Sequence, residues 1–249
     1  RVISVLGTRK ATDYGKDFCN ELIKDLVPHN PLIVSGLAYG IDVCAHKAAV
    51  QNNLPTVGVL AHGLDRLYPA QHKSVANQML ENGALLSDYK SGTKPDRENF
   101  PKRNRIVAGM SDLTIVIESS KKGGSLITAY IANDYNRDVF ALPGRVGDSQ
   151  SEGCNNLIRS HKAALIQSVK DIEYVMGWEV NKKVARVQTQ LFLELTPEQK
   201  VLTAILSKQD KIGIDELSLL AKMPMSQTTS LLLNLEFDNI NINDLGLRY

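Results

Sequence analysis

Only three cysteines occur in the 249 residues, Cys19, Cys44 and Cys154. They lie far apart in sequence, are odd in number and show no CxxC spacing, which argues against a zinc site and a disulfide framework and fits a reducing cytoplasm. No apolar run approaches the ~20 residues a membrane helix needs, so no membrane association is expected. Charge of one sign is also lacking: a net charge of +2 excludes a broad basic coat and leaves room only for a local patch. No signal-peptide pattern is visible, and the chain opens at Arg1 directly before a strand-like run, which predicts a segment upstream.

The chemical signatures of common enzymes are missing too. The GxGxxG fingerprint does not follow the first strand-like run. Gly7-Thr8-Arg9 stands there and puts an arginine where a pyrophosphate needs bare backbone. His46 follows Asp42 by four residues and Ser35 is near, but the serine precedes its glycine instead of sitting between two, so the nucleophile elbow GxSxG is absent. A structural Asp42–His46 contact on one helix face is the expectation. His62 has no partner pattern for a metal, and Asp65 and Glu118 are lone acids in loops. No catalytic residue, metal or cofactor is predicted.

What is present is a repeated order of apolar strand, glycine loop and helix. Val2–Leu6 ends on Gly7 and leads to a helix over Thr12–Leu26, and Pro31–Val34 leads through Ser35–Gly40 to a helix over Asp42–Gln51. Further strands are predicted at Thr56–Leu60, Ala84–Ser87, Leu113–Ile117, Val139–Leu142 and Ala164–Ile166. The helices between and after them are expected at Gln71–Glu81, Ile106–Met110, Ser125–Tyr135, around Arg159 and at Val169–Met176. LTIVI at Leu113–Ile117 is the most apolar run and marks a central strand. The pattern predicts an α/β domain, a Rossmann-like parallel sheet with helices on both faces, binding its ligand beyond the carboxyl ends of the strands.

Three glycine junctions meet at that edge: Gly7-Thr8-Arg9, Ser35-Gly36 through Gly40, and Gly123-Gly124-Ser125. Each offers backbone N–H groups of the kind that hold phosphate. From Lys90 to Arg105 basic residues concentrate (Lys90, Lys94, Arg97, Lys102, Arg103, Arg105) around Phe100, with Asn104 between the last two arginines. An aromatic among cations suits a strand whose bases stack while its phosphates are gripped.

Residues 179–195, mostly polar as far as Gln190 and without a convincing period, read as a linker between a domain at 1–178 and a second at 196–249. The second has helical patterns at Pro197–Ser207, Asp215–Lys222 and Ser226–Phe237, the last with Ser226 as N-cap. A possible ribbon then follows, the order of a winged helix-turn-helix. From Glu179 onward eight Lys or Arg face nine Asp or Glu, and the third helix carries no basic residue, so strong DNA binding by this part is not expected.

GTRKATDYG, SGLAYGIDVCAH, GLDRLYP, NFPKRNRIVAG, GGSLITA, FALPG and GCNNLI, in this order, resemble the DNA-processing protein A family (DprA, also called Smf) from about Val2 to Met176. The resemblance implies a non-catalytic protein that binds single-stranded DNA in natural transformation, forms a homodimer and helps load the RecA recombinase. By the same resemblance Arg9 matches a phosphate-gripping arginine, Ser35 and Gly36 the second loop, and Gly124 and Ser125 the third. Arg97 and Phe100 fall in a segment of basic and base contacts, and Lys102, Arg103, Asn104 and Arg105 at the basic start of the next helix. Thr8, Gly123 and Ala70 depart from residues common in the family. The alternative is a nucleotide-hydrolysing enzyme of the phosphoribohydrolase type. Its PGGxGTxxE motif carries a catalytic glutamate, whereas GGSLITAYI has none. A third reading, an adaptor acting through the tail, leaves the basic segment without a role.

Overall fold

A computed structural model describes residues 1–178, 195–207 and 212–237. The chain divides into two compact units, Arg1–Val180 and Asn181–Tyr249.

The first unit is built on seven parallel strands: β1 (Val2–Gly7), β2 (Leu32–Ser35), β3 (Thr56–Val59), β4 (Gly83–Leu86), β5 (Leu113–Ile117), β6 (Asp138–Ala141) and β7 (Ala164–Leu165). Their order is β4-β3-β2-β1-β5-β6-β7, so β1 is the middle strand and β5, buried along its whole length, lies beside it. The order reverses between β1 and β5, and a crevice for ligand opens at such a point. Both faces are covered, which explains why these strands read as continuous apolar runs. Ile3, Val5, Ile33, Ile115, Ile117 and Phe140 pack beneath α1 (Asp13–Asp25) and α2 (Ile41–Gln51). α3 (Lys73–Met79) extends that layer through Val75, Ala76 and Met79. Leu6, Val34, Val59, Val116 and Val139 pack on the opposite face with α4 (Asn99–Met110), α5 (Gly124–Asp134) and α6 (Glu152–Arg159). Ser4 and Thr114 join hydroxyls across β1 and β5 at 2.8 Å inside that second layer. α7 (Val169–Met176) closes the unit with a Ser168–Asp171 capping box and a left-handed Gly177.

Three expectations shift. The helix expected at Gln71–Glu81 is a short 3-10 turn at Ala70–His72 followed by α3. α4 starts at Asn99, seven residues before the expected Ile106, because Pro101 falls in its first turn, where an N–H has no intrahelical partner to lose. Asp42 and His46 also do not pair: Asp42 turns back to the Gly36 loop, and His46 Nδ1 lies 2.7 Å from Thr56 Oγ1.

That histidine has a defined tautomer. Thr56 spends its hydroxyl hydrogen on the Ile33 carbonyl at 3.0 Å, so His46 Nδ1 is the donor, and Nε2 is buried with no partner among the described residues. Burial, then the fields of Arg103 and His72, push its pKa down from 6.5 to about 3. The unfolded chain therefore takes up a proton that folded His46 refuses. Stability present above pH 6.5 is lost as pH falls toward about 3. Melting temperature followed from neutral pH downward falls more steeply for the wild type than for His46→Gln. Equal slopes would remove this histidine from the acid response.

The second unit carries α8 (Pro197–Leu206), α9 (Ile214–Ala221) and α10 (Met225–Phe237) around Leu202, Leu206, Leu217 and Leu232. α8 opens with Pro197 and a Thr196–Gln199 capping box. α10 begins at Met225, so Ser226 sits inside its first turn and not at the cap. The expected linker before residue 195 and the expected ribbon after Phe237 lie outside the described residues. No helix among the described residues is long and apolar enough to cross a membrane.

Candidate nucleic-acid interface

The carboxyl ends of β1, β2 and β5 and the first turns of α4 and α5 enclose a cavity of about 340 Å³. Arg9, Gly36, Phe100, Arg103, Asn104, Gly124 and Ser125 all line it. Arg9 is exposed at its mouth, with its guanidinium carbon 5.5 Å from the centroid of the Phe100 ring. The Phe100 and Tyr68 rings lie tilted at 6.1 Å, and Tyr39, Tyr68 and Pro69 continue the surface beside Arg9. Tyr39 and Tyr68 were missed as site residues. The sequence signals for them are the tyrosine between the two glycines of SGLAYG and the Tyr-Pro step of RLYP.

The opposite wall is the start of α5. Gly123 is its N-cap with no side-chain cap, and the first N–H groups of a helix lack intrahelical acceptors. Gly123 N–H bonds to the Ser120 carbonyl and Leu126 N–H to the Gly123 carbonyl. The N–H groups of Gly124 and Ser125 thus start the helix beside the cavity. The Ser125 hydroxyl donates to Ser119 Oγ at 3.0 Å, fixing the turn. Such a helix start favours an anion.

The second glycine loop is organised differently from the expectation. Asp42, 6% exposed, accepts from Gly36 N–H at 3.2 Å and Ala38 N–H at 3.4 Å through one oxygen. Its own carboxylate takes the place a phosphate was expected to fill. Burial raises the Asp42 pKa, opposed by the Arg103 guanidinium and the two N–H bonds. Arg103, 4% exposed, donates through Nη1 to the Gly36 carbonyl at 3.0 Å and to the Val59 carbonyl, and burial lowers its pKa while Asp42 raises it. The floor of the cavity therefore sets the Asp42 carboxyl and the Arg103 guanidinium within each other's field. Gly40 completes the loop with φ +78°, and a Cβ there would lie 2.1 Å from the Thr8 carbonyl, so only glycine fits.

The remaining expected residues separate. Ser35 is wholly buried in β2, its hydroxyl donating to the Val5 carbonyl at 2.6 Å, so it faces the sheet and not a ligand. Arg97, Lys102 and Arg105 are exposed outside the cavity lining, and Arg105 pairs with Asp88. The basic segment is pinned by Asp65, whose Oδ1 accepts from Gly92 N–H at 2.7 Å. That bond, then the Arg66 side chain, lowers the Asp65 pKa to about 2.

A second cavity of about 780 Å³, lined by Thr12, Tyr14, Glu118, Pro143, Arg145 and Gln150 among others, opens nearby. Thr8 Oγ1 donates to Gln150 Oε1 at 2.8 Å and ties the first-strand loop to the segment after β6. Glu118 is buried, and its two oxygens accept separately from Thr12 N–H and the Thr12 hydroxyl. Thr12 Oγ1 in turn accepts from Gly15 N–H at 3.3 Å and caps α1, so Glu118 anchors a helix start.

Known proteins resemble this chain in sequence and in fold. The chain is 42% identical over 172 residues to DNA processing protein DprA of Bacillus subtilis, covering 69% of this chain and 58% of that protein. The X-ray structure of DprA from Streptococcus pneumoniae superposes with a TM-score of 0.65 at 39% identity, over 71% of this chain and 61% of that one. A Helicobacter pylori DprA structure, described for its single-stranded DNA binding mode, superposes with a TM-score of 0.65 at 30% identity, over 70% of this chain and 79% of that one. The chain spans about half the length of the curated relatives it matches. The model of the family described as DNA recombination-mediator protein A matches residues 1–177, and the chain belongs to that family.

Proposed function

We propose that this chain binds single-stranded DNA in the cavity between β1, α4 and α5, without catalysing a bond change, and passes the strand to a RecA-type recombinase during DNA uptake. The observation that carries the reading is Arg9 stacked against Phe100 at the mouth of a pocket whose far wall is the start of α5. A cation and a helix N-terminus supply grips for successive phosphates, and Phe100 with Tyr68 and Tyr39 supplies faces on which bases stack. Stacking on ring faces tolerates any base, so binding is insensitive to sequence. Exposed Arg97 and Lys102 extend the grip beyond the cavity, and Asp42 and Arg103 hold the Gly36 loop from beneath through its N–H and carbonyl groups. The Helicobacter pylori relative, whose structure is described for single-stranded DNA binding, supports the same ligand here. The nucleotide-hydrolysing alternative is weakened by Glu118, whose oxygens are both taken by Thr12.

In the same reading the protein works in the cytoplasm as a homodimer, with residues 1–178 as the DNA-binding part and the three-helix part, a winged-helix unit, in an accessory role. The test is titration of a labelled oligo-dT and of a matched duplex at one salt concentration. The single strand binds tighter, whereas a duplex bound equally or better would overturn the reading. Faster RecA filament growth on a strand already coated by a single-strand-binding protein tests the hand-over. No acceleration would remove that step and leave the binding claim standing.

A further inference from the structure

Helices α1 and α2 pack side by side over the sheet, and the Cys44 thiol lies against the turn of α1 that carries Cys19, 3.8 Å from the Lys16 carbonyl and 3.5 Å from Asn20 Oδ1. Cys19 is wholly buried, while Cys44 is half-buried, with its thiol donating to Asn20 Oδ1 at 3.5 Å. We propose that Cys44 and Cys19 form an oxidation site, in which a hydroperoxide oxidises Cys44 and Cys19 converts the product to a disulfide joining α1 to α2.

Three features divide the roles. Cys44 is the thiol that solvent reaches. Lys16 and Lys47 stand near it, and contact with Cys19, then these lysines, lowers its pKa against the opposing effect of burial. Cys19 is the reverse: its contact with Cys44, then burial, raises its pKa, so it remains a protonated thiol until its neighbour has reacted. An accessible thiol of lowered pKa beside a second cysteine is the arrangement that forms a reversible disulfide instead of over-oxidising. Cys154 serves as an internal control, because burial pushes its pKa up to about 12.

The steps balance. The Cys44 thiolate attacks one peroxide oxygen, the O–O bond breaks, and hydroxide or alkoxide leaves, giving a sulfenic acid. Cys19 sulfur then attacks Cys44 sulfur, the S–O bond breaks, and the sulfenic oxygen leaves as water with the proton Cys19 releases. Both thiols are oxidised by one peroxide.

The cross-link would act on the loops of the cavity. Ile41 N–H, at the start of α2, bonds to the Thr8 carbonyl at 3.3 Å, and α1 begins just beyond Arg9. A bond between the two helices therefore fixes the spacing of the first two glycine loops. This consequence for DNA rests on the proposed function, whereas the thiol chemistry does not.

The experiment exposes the reduced full chain to a modest excess of hydrogen peroxide, alkylates the remaining thiols and maps peptides by mass spectrometry. The expected result is a Cys19–Cys44 linked peptide, reversed by a dithiol reductant, with Cys154 still alkylated. In Cys19→Ala the Cys44 sulfenic acid persists and reacts with a dimedone probe, and in Cys44→Ser Cys19 stays reduced. If Cys19→Ala fails to fold, the wild-type map decides alone. Unreacted cysteines, Cys44 driven to sulfinic acid without a link, or Cys154 oxidised as fast would each overturn the proposal. Oligo-dT affinity measured for the oxidised and reduced protein then reads the coupling separately.

Discussion

Arg103→Ala lowers the stability of the first unit by about 3–5 kcal/mol, seen as a lower urea midpoint, because it removes a buried cation that donates to two carbonyls and offsets the buried Asp42 carboxyl. The guanidinium holds the carbonyls of Gly36 and Val59 and is the main charge opposing the rise that burial imposes on the Asp42 pKa. Alanine leaves two carbonyls without their donor and removes the positive charge that opposes the rise in the Asp42 pKa. Arg103→Lys recovers only part of the loss, since an ammonium does not reproduce the planar fork. DNA affinity falls in the same variant only as far as the loop unfolds. An unchanged midpoint with lost DNA binding would show instead that Arg103 touches the strand itself.

Arg9→Ala has the opposite profile. Its side chain is exposed and rests on Phe100, so the fold tolerates the change and the urea midpoint stays near that of the wild type. Affinity for oligo-dT falls about 10–100-fold, the loss of one phosphate grip together with its support of a stacking ring. The slope of log affinity against log salt also becomes shallower by about 0.7, the value for one phosphate contact on a single strand. Arg105→Ala is the contrast: Arg105 is exposed, paired with Asp88 and outside the cavity, so both affinity and slope change little. Equal losses at Arg9 and Arg105 would point to a diffuse basic surface in place of a pocket.

These variants show where the sequence was readable and where it was not. The strands were, because a parallel strand covered on both faces is an unbroken apolar run, and glycine or proline marks its end. LTIVI and VISVL therefore stand out, and the loops after them had to meet at one sheet edge. The phase of α4 was not readable. A proline at position 101 suggests a helix that begins later, and Arg103, Asn104 and Arg105 then read as one basic group. Starting at Asn99, the helix puts Phe100, Arg103, Asn104 and Val107 on the cavity side, and Arg105, two residues from Arg103, turns away. The second glycine loop misled for a related reason. A strand–glycine–helix junction offers N–H groups to an anion, but here the carboxyl of Asp42, in the first turn of α2, already accepts from them. Ser35 looked like part of a loop and is the last residue of β2, facing inward. Sequence separation likewise hid the Cys19–Cys44 pair, which exists only once α1 packs on α2.

The most direct test of the DNA pocket is a photocrosslink from an oligo-dT carrying 4-thiothymidine, followed by peptide mapping of the full chain. The account predicts adducts at Phe100, Tyr68 or Tyr39 and in the segment from Ser119 to Ser125, all reduced in Arg9→Ala. Adducts confined to α8–α10, or spread evenly over exposed lysines, would contradict it.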